Sequence, residues 1–590
     1  TIVKRDEAGF IEVLPAEFNA RTRAHEYGGG AFCVSDGDIF FCNDADQRIY
    51  RVRIGETPVP LTPEGAYRYA DLLVDCEHDR LICVREDHTA DGKPKNTLVA
   101  VRFDGSIEVL AEGRDFYAAP RVSNCGPHIA WIQWQHPNMP WDETELVIAK
   151  VDESGTVIAS EHVAGGDNVA IFQPEFAADG SLFYVSDATG WWNIYRYDGE
   201  SEACVYSVDA EFGLPHWVFG MRTYDFNGPT RLAVTFQLDG ISKLAEIDIG
   251  GGSVRTIPVP HIDMSGLRVA DGVAYYIGGS MRAPAAVAGV DLESGTVSVL
   301  RWSQEVDIDP DSISLAQPVI FRTASEELAH GFFYPPANSQ FEGPDDALPP
   351  LIVKSHGGPT GQTSCSYEPK IQFWTSRGFA VLDVNYRGST GFGTRYRRLL
   401  DGKWGIADVE DCIAGAQMLV EKGMVDGDRM AITGGSAGGY TTLCALTFGD
   451  KFKAGASHYG IGDLEALARD THKFESRYLD RLVGRWPEDR AVYQSRSPIQ
   501  HTDQLSCPVI FFQGTEDKVV PPNQSEAMVE ALRKKNIPVA YVLFEGEGHG
   551  FRQAANVRQV LENELSFYAQ VFDFQATGEI APVEIESHSL

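Results

Sequence analysis

Up to about residue 310 the chain alternates short apolar runs with polar turns. Asp-Gly, Gly-Gly and Asn-Gly steps at 36–37, 104–105, 179–180, 227–228, 239–240 and 250–252 punctuate it, as expected where strands reverse in tight turns. A unit of apolar strand, polar turn and second alternating strand recurs, starting near Ile39, Leu81, Ile129, Leu182, Leu232 and Val273. These starts lie on average about 47 residues apart, the length of a four-stranded propeller blade. A β-sandwich also supplies many strands, but not six similar units in series, so a β-propeller is predicted. Gly9-Phe-Ile-Glu-Val-Leu14 reads as the last strand of an earlier, absent blade. An incomplete blade leaves open strand edges, so seven blades, and a chain shortened at its N-terminus, are the expectation for the full protein.

Beyond about residue 315 the pattern changes. Leu351–Lys354, Phe379–Val384, Met430–Thr433, Val509–Phe512 and Val539–Phe544 are continuous apolar runs, as in strands covered on both faces. Helical stretches separate them. Ile406, Val409, Ile413, Ala416 and Val420 recur at three- and four-residue spacing, one face of an amphipathic helix. Pro521-Pro-Asn with Glu526 predicts another helix opened by a capping arrangement. Strands alternating with helices imply a doubly wound, mostly parallel sheet. Two domains are predicted, a propeller over 1–312 and an α/β domain over 313–590.

Composition narrows the function classes. A chain of 590 residues with 43% hydrophobic and 11% aromatic residues is folded and exceeds one core. With 84 acidic against 50 basic residues its net charge is −34, which argues against nucleic acid as a partner. The ten cysteines form no CxxC pair and no metal-ligand spacing, and most sit in apolar runs such as Phe-Phe-Cys42. No HExxH occurs either, so neither metal nor cofactor is expected. No run of about 18 apolar residues predicts a membrane span, and no signal peptide is visible. A cytoplasmic location is the expectation, although a start at Thr1 leaves a leader open. Homo-oligomerisation is not decided by the sequence.

The chemistry centres on Ala431-Ile-Thr-Gly-Gly-Ser-Ala-Gly-Gly-Tyr440, an apolar strand running into Gly434-x-Ser436-x-Gly438. This is the pattern of an α/β-hydrolase nucleophile elbow, where a sharp turn lifts the serine Oγ clear of the sheet. Taken alone the pattern is weak, because a chain rich in glycine and serine supplies it by chance. A serine hydroxyl also needs a base, and the base an orienting acid, following the serine in the order acid, then His. Strand Val509–Phe512 leads to Asp517, with Glu516 a rival for the same role, and strand Val539–Phe544 leads to His549 between glycines. The oxyanion donors are expected to be the backbone N–H of Ala437 and that of Gly358, in the His356-Gly-Gly-Pro loop after an early strand.

His356-Gly-Gly-Pro, Asn385-Tyr-Arg-Gly-Ser-Thr-Gly-Phe-Gly393, Gly434-Gly-Ser-Ala-Gly-Gly-Tyr440, Asp517-x-x-Val-Pro and Gly548-His-Gly together resemble the prolyl oligopeptidase family of serine peptidases. The resemblance implies a propeller capping the active site, restricting access to short peptides, and an interdomain cavity for substrate. His356 stands where prolyl oligopeptidase and the dipeptidyl peptidase IV branch carry a tyrosine. That is similar to the acylaminoacyl-peptidase branch, with its aminopeptidase-like enzymes. The implied activity is release of N-terminal aminoacyl or acylaminoacyl residues from short peptides. A carboxylesterase or amidase for small non-peptide substrates is the alternative. Glu26, in His25-Glu-Tyr-Gly-Gly-Gly30, is a candidate ligand for a substrate amine, and His356 and Tyr386 are further candidates for substrate contact. Segments His458–Asp463 and Phe474–Trp486 are candidate pocket walls.

Overall fold

A computed structural model describes residues 1–6, 9–124, 126–576 and 578–586; Cys125 lies outside them. Six four-stranded antiparallel sheets follow one another from Phe32 to Trp302 and form a six-bladed propeller. All six starts read from the sequence fall in or at the edge of the second strand of a blade: Asp38–Cys42, Arg80–Asp87, His128–Trp134, Leu182–Ser186, Arg231–Leu238 and Val273–Gly279. The reason is burial. Asp38–Cys42 and Leu182–Ser186 are buried along their whole length, whereas rim strands such as Val157–Gly165 and Val297–Trp302 are largely exposed.

The first strands of neighbouring blades pack against one another. Four of them carry a β-bulge, with Asp71 (φ 57°), Ala119 (φ 51°), Gln173 (φ 46°) and Gly266 (φ 70°) in left-handed backbone. A bulge adds twist and re-aims a side chain, and here side chains at or beside it clasp the next blade. Asp71 Oδ2 accepts from the Ala119 N–H (2.6 Å), and Arg121 Nε donates to Glu175 (2.8 Å). Gln173 accepts from the Thr223 N–H and donates to the Tyr224 carbonyl, both at 2.7 Å. Asp225 accepts from the Val269 N–H (2.9 Å). Arg222 also pairs with Glu175, so a buried ionic network joins these strands.

The six blades expected in this chain are all present. Gly9–Glu12 pairs antiparallel with Val3–Asp6 as a two-stranded ribbon. The ribbon bridges the ends of the propeller. Ile2, Val13 and Leu14 pack on Ile39, Phe41 and Tyr50 of the first blade, and the Arg301 guanidinium of the sixth lies 5.1 Å from the Phe10 ring.

The second domain is an eight-stranded sheet. In chain order its strands are β1 (Gln317–Arg322), β2 (Leu328–Tyr334), β3 (Leu351–Ser355), β4 (Ala380–Asn385), β5 (Met430–Gly435), β6 (Ala454–His458), β7 (Val509–Gly514) and β8 (Val539–Phe544). They lie in the order β1-β2-β4-β3-β5-β6-β7-β8, parallel from β4 onward and antiparallel at β1 and β2. The helix Ala407–Glu421 forms where the period predicts, but its buried face is shifted. Val409 and Ala416 are buried, Ile406 is half exposed, and Asp408 and Asp411 point inward. Asp411 holds the Arg387 side chain and N–H, and Asp408 accepts from Thr441 (2.6 Å). Paired buried carboxylates are invisible to a hydrophobic period. The helix Asn523–Lys534 lacks the predicted side-chain cap; the Glu526 N–H bonds to the Pro522 carbonyl instead (3.0 Å).

Polar contacts join the domains. Asp187 of the propeller accepts from Thr394 Oγ1 (3.0 Å) and Arg397 (2.7 Å). Glu211 accepts from the N–H groups of Trp192 (3.1 Å) and, across the interface, Gly393 (2.9 Å). Burial pushes the Glu211 carboxyl up to about 7, with Arg397 and the two N–H groups opposing it. A folded-state value above the unfolded one means that the folded protein binds the extra proton between about pH 4.5 and 7. The stability contributed by this site is therefore complete below that window and is lost as pH rises through 7. Glu211→Gln is expected to flatten the decline of Tm between pH 5 and 8 and to raise Tm at pH 8 relative to the parent. Parallel Tm profiles of variant and parent would contradict this.

Candidate active site

Ser436 sits between β5 and the helix Ala437–Phe448, with φ 56° and ψ −120°. Left-handed backbone at a residue with a Cβ is strained, and it persists only where the surroundings hold it. The surroundings here are backbone. A Cβ added at Gly434 would lie 2.4 Å from the Gly438 carbonyl group, and one at Gly438 would lie 2.1 Å from the Ser355 carbonyl oxygen. β3 and the start of the helix thus approach as closely as glycine alone permits. The Ser436 N–H donates to the His458 carbonyl (3.0 Å), tying the turn to β6.

Asp517 follows β7 and is buried. Its Oδ1 accepts from the N–H groups of Val519 and Val520, both at 2.9 Å, and its Oδ2 lies 2.8 Å from His549 Nδ1. Glu516, the sequence rival, is exposed. The Asp517 contact places the His549 proton on Nδ1 and leaves Nε2 free to accept one. His549 lines one cleft with Ser436, Gly357, Gly358 and Tyr459. No hydrogen bond joins Ser436 to His549, a contact that often tightens only in a substrate complex. Among the described residues, the N–H groups of Ala437 and Gly358 donate to no other group.

Tyr386 differs from expectation, whereas His356 does line the cleft. Tyr386 is fully buried beneath the loop, and its hydroxyl donates to the His356 carbonyl (3.0 Å). The His356 ring stacks on it at 4.2 Å. Burial lowers the His356 imidazole to about 4, so it is neutral near pH 7. Its Nδ1 lies 2.8 Å from the Gly357 carbonyl and its Nε2 2.7 Å from Ser389 Oγ. Both nitrogens are therefore occupied, and neither is offered to a substrate. The ring holds the Gly357 carbonyl, and in a trans peptide the N–H of Gly358 points the opposite way. His356 thus aims the Gly358 N–H.

Glu26 is also displaced from its expected role. Its carboxylate pairs with Arg68 (2.6 Å), away from the cleft. The neighbouring Tyr27 enters the cleft instead, with Trp217 of the propeller. Trp217 Nε1 donates to the Thr360 carbonyl (2.6 Å) and the Tyr478 hydroxyl contacts Thr360 Oγ1 (2.6 Å), so both domains secure the His356–Thr360 loop. The cleft has a volume of about 540 Å³. Beside it, and also touching Ser436, Ala437 and Gly358, is a nearly closed pocket walled by Trp404, Ile461, Leu467, Leu479, Val519 and Val520. The pocket also draws Glu475 and Tyr478 from the segment flagged in the sequence. Nothing local in the sequence distinguishes Tyr27 from Glu26, and Gly28–Gly30 serve close passages against the backbone of Thr22, Phe219 and Asp71.

A sheet of this order, a strained elbow serine and a propeller lid define a lidded α/β-hydrolase. The chain belongs to the prolyl oligopeptidase family of serine peptidases: residues 365–575 match the Prolyl oligopeptidase family, and long relatives agree. It resembles a solved puromycin-hydrolyzing peptidase of Mycobacterium tuberculosis at 39% identity and TM-score 0.96, covering 99% of this chain and 92% of the other. A solved puromycin hydrolase matches at 36% identity and TM-score 0.95 with the same coverage. Dipeptidyl aminopeptidase BIII of Pseudoxanthomonas mexicana is 29% identical over 410 residues, 66% of this chain and 58% of that protein. The chain thus spans less than two thirds of that curated relative. The described residues include no cluster of His, Cys, Asp and Glu suited to a metal ion, and no helix among them is long and apolar enough to cross a membrane.

Two substitutions test this geometry. His356→Ala is expected to lower kcat about 10- to 1000-fold, up to the loss of an oxyanion donor, with little change in KM. His356→Asn, which keeps a donor near Nδ1, is expected to recover part of it. An unchanged kcat in His356→Ala would refute the aiming role. Gly438→Ala, which forces a methyl onto the Ser355 carbonyl, is expected to abolish labelling of Ser436 by a fluorophosphonate.

Proposed function

We propose that the protein is an aminopeptidase-like serine peptidase that releases one apolar N-terminal residue from short peptides and aminoacyl amides. Ser436 Oγ attacks the scissile carbonyl carbon while His549 Nε2 takes its proton. Asp517 fixes the ring tautomer and stabilises the imidazolium. The oxyanion is held by the N–H groups of Ala437 and Gly358. His549 then protonates the leaving amine, and water activated by the same ring hydrolyses the acyl-enzyme.

The observation that carries the reading is the pocket at Ser436, walled chiefly by Trp404, Ile461, Leu467, Leu479, Val519 and Val520. It is narrow, about 20 Å³, so one side chain enters only as these walls yield. Filling it with a large apolar side chain contributes about 1.5–3 kcal/mol, roughly a 10- to 150-fold preference over a substrate whose side chain stays in water. Two solved relatives described as puromycin-hydrolysing support a hydrolase of small substrates. Acylated N-termini and simple esters are the competing substrates.

A panel of aminoacyl, N-acetyl-aminoacyl and X-Pro anilides beside simple esters tests the proposal. Leucyl and phenylalanyl anilides are expected to lead, and Ser436→Ala to lower turnover about 10⁵-fold or more without lowering Tm. Ester cleavage with negligible amide cleavage would overturn the peptidase reading.

A further inference from the structure

Tyr459 holds a backbone conformation that its side chain does not favour. Its φ is 40°, and left-handed backbone at a bulky residue persists only where the surroundings impose it. Its N–H donates to the Phe512 carbonyl (2.7 Å). Glycine at 435 leaves room for its ring, since a Cβ there would lie 3.0 Å from both Cε2 and the hydroxyl oxygen. The ring meets the His549 ring edge-on at 4.8 Å and the Phe551 ring at 5.2 Å. This strained turn thus places an aromatic hydroxyl in the cleft, beside the base. The hydroxyl makes no hydrogen bond among the described residues. Other polar side chains of the cleft are engaged or closed off. Lys354 pairs with Asp383, His356 with Ser389, Thr360 with Tyr478 and Tyr27 with Glu475. Ser355 Oγ and Gln362 Oε1 lack partners but are buried. Burial and the Asp517 carboxylate raise the Tyr459 hydroxyl to about 12, so it keeps its proton and can donate it.

An aminoacyl substrate has one residue on the acyl side of its scissile bond and all others on the leaving side. With its first side chain in the pocket at Ser436, its leaving nitrogen must face His549 Nε2, which protonates it. The leaving chain then runs along the cleft past Tyr459, and its first carbonyl carbon stands two bonds beyond that nitrogen. We infer that the Tyr459 hydroxyl donates a hydrogen bond to this first carbonyl of the leaving chain, and so favours peptides over amides of simple amines. The inference rests on the aminopeptidase reading above and adds the leaving side to it.

The test compares leucyl-glycinamide, whose leaving amine carries that carbonyl, with leucyl ethylamide, whose leaving amine does not. Both give the same leucyl-enzyme, so they differ only on the leaving side. Measured on one preparation of the full chain, any unfolded fraction cancels in their ratio of kcat/KM. Tyr459→Phe, which keeps the ring against His549, is expected to lower that ratio about 3- to 10-fold, the loss of one neutral hydrogen bond. Tyr459→Ala, which removes the ring as well, is expected to lower the same ratio and also to slow labelling of Ser436 by a fluorophosphonate. An unchanged ratio in Tyr459→Phe, or an equal loss on both substrates, would overturn the inference and leave Tyr459 as a support for His549. A parent that cleaves leucyl esters but neither amide would instead remove the aminopeptidase reading, and the inference with it.

Discussion

The close passage of two backbones, the Ser355–His356 strand end and the start of the helix at Gly438, is the constraint on which the site depends. The Ser355 carbonyl lies where a methyl on residue 438 would stand, and this contact traps Ser436 in backbone that it would not adopt alone. The same strand end continues into the His356–Thr360 loop. Ser436 and the expected oxyanion donors are therefore set by one packing event. Asp517 and His549 come from the ends of neighbouring strands, β7 and β8, so the sheet register brings them together without further devices.

The propeller contributes in a different way. Its blades are clasped one to the next by side chains at bulges in their first strands, and the ionic network of Arg121, Glu175 and Arg222 is buried there. From the other domain, Phe474 stacks on His25 (4.9 Å) and Lys473 donates to Asn96 and to the Asp115 carbonyl. The segment around 471–477 thus anchors in the propeller while its Thr471 and Glu475 wall the pocket.

The sequence made the backbone plan legible wherever burial writes long apolar runs. Blade second strands and five strands of the parallel sheet are of that kind. β6 was missed because Ala454–His458 is built from small residues, and β1 because it is a largely exposed edge strand; β2, paired on both sides and mostly buried, was missed as well. The candidate triad could be placed on the sequence because each member follows a recognisable strand, in fixed order. The residues that wall the pocket could not, because they lie far apart in the chain. Tyr27 and Glu475 are 448 positions apart, and no local pattern reports which of Glu26 and Tyr27 turns toward the cleft. His356 was legible as a departure from family pattern, yet its role follows only from the orientation of one peptide plane.

The hydrogen bond from Tyr27 to Glu475 crosses the domain boundary. One wall of the pocket at Ser436 is therefore braced from the other domain, since Glu475 stands on it beside Thr471, Tyr478 and Leu479. Trp217 braces the opposite side in the same way through the Thr360 carbonyl. The shape of the pocket is thus a joint property of both domains, and a change at a propeller residue alters it without touching any residue of the hydrolase sheet.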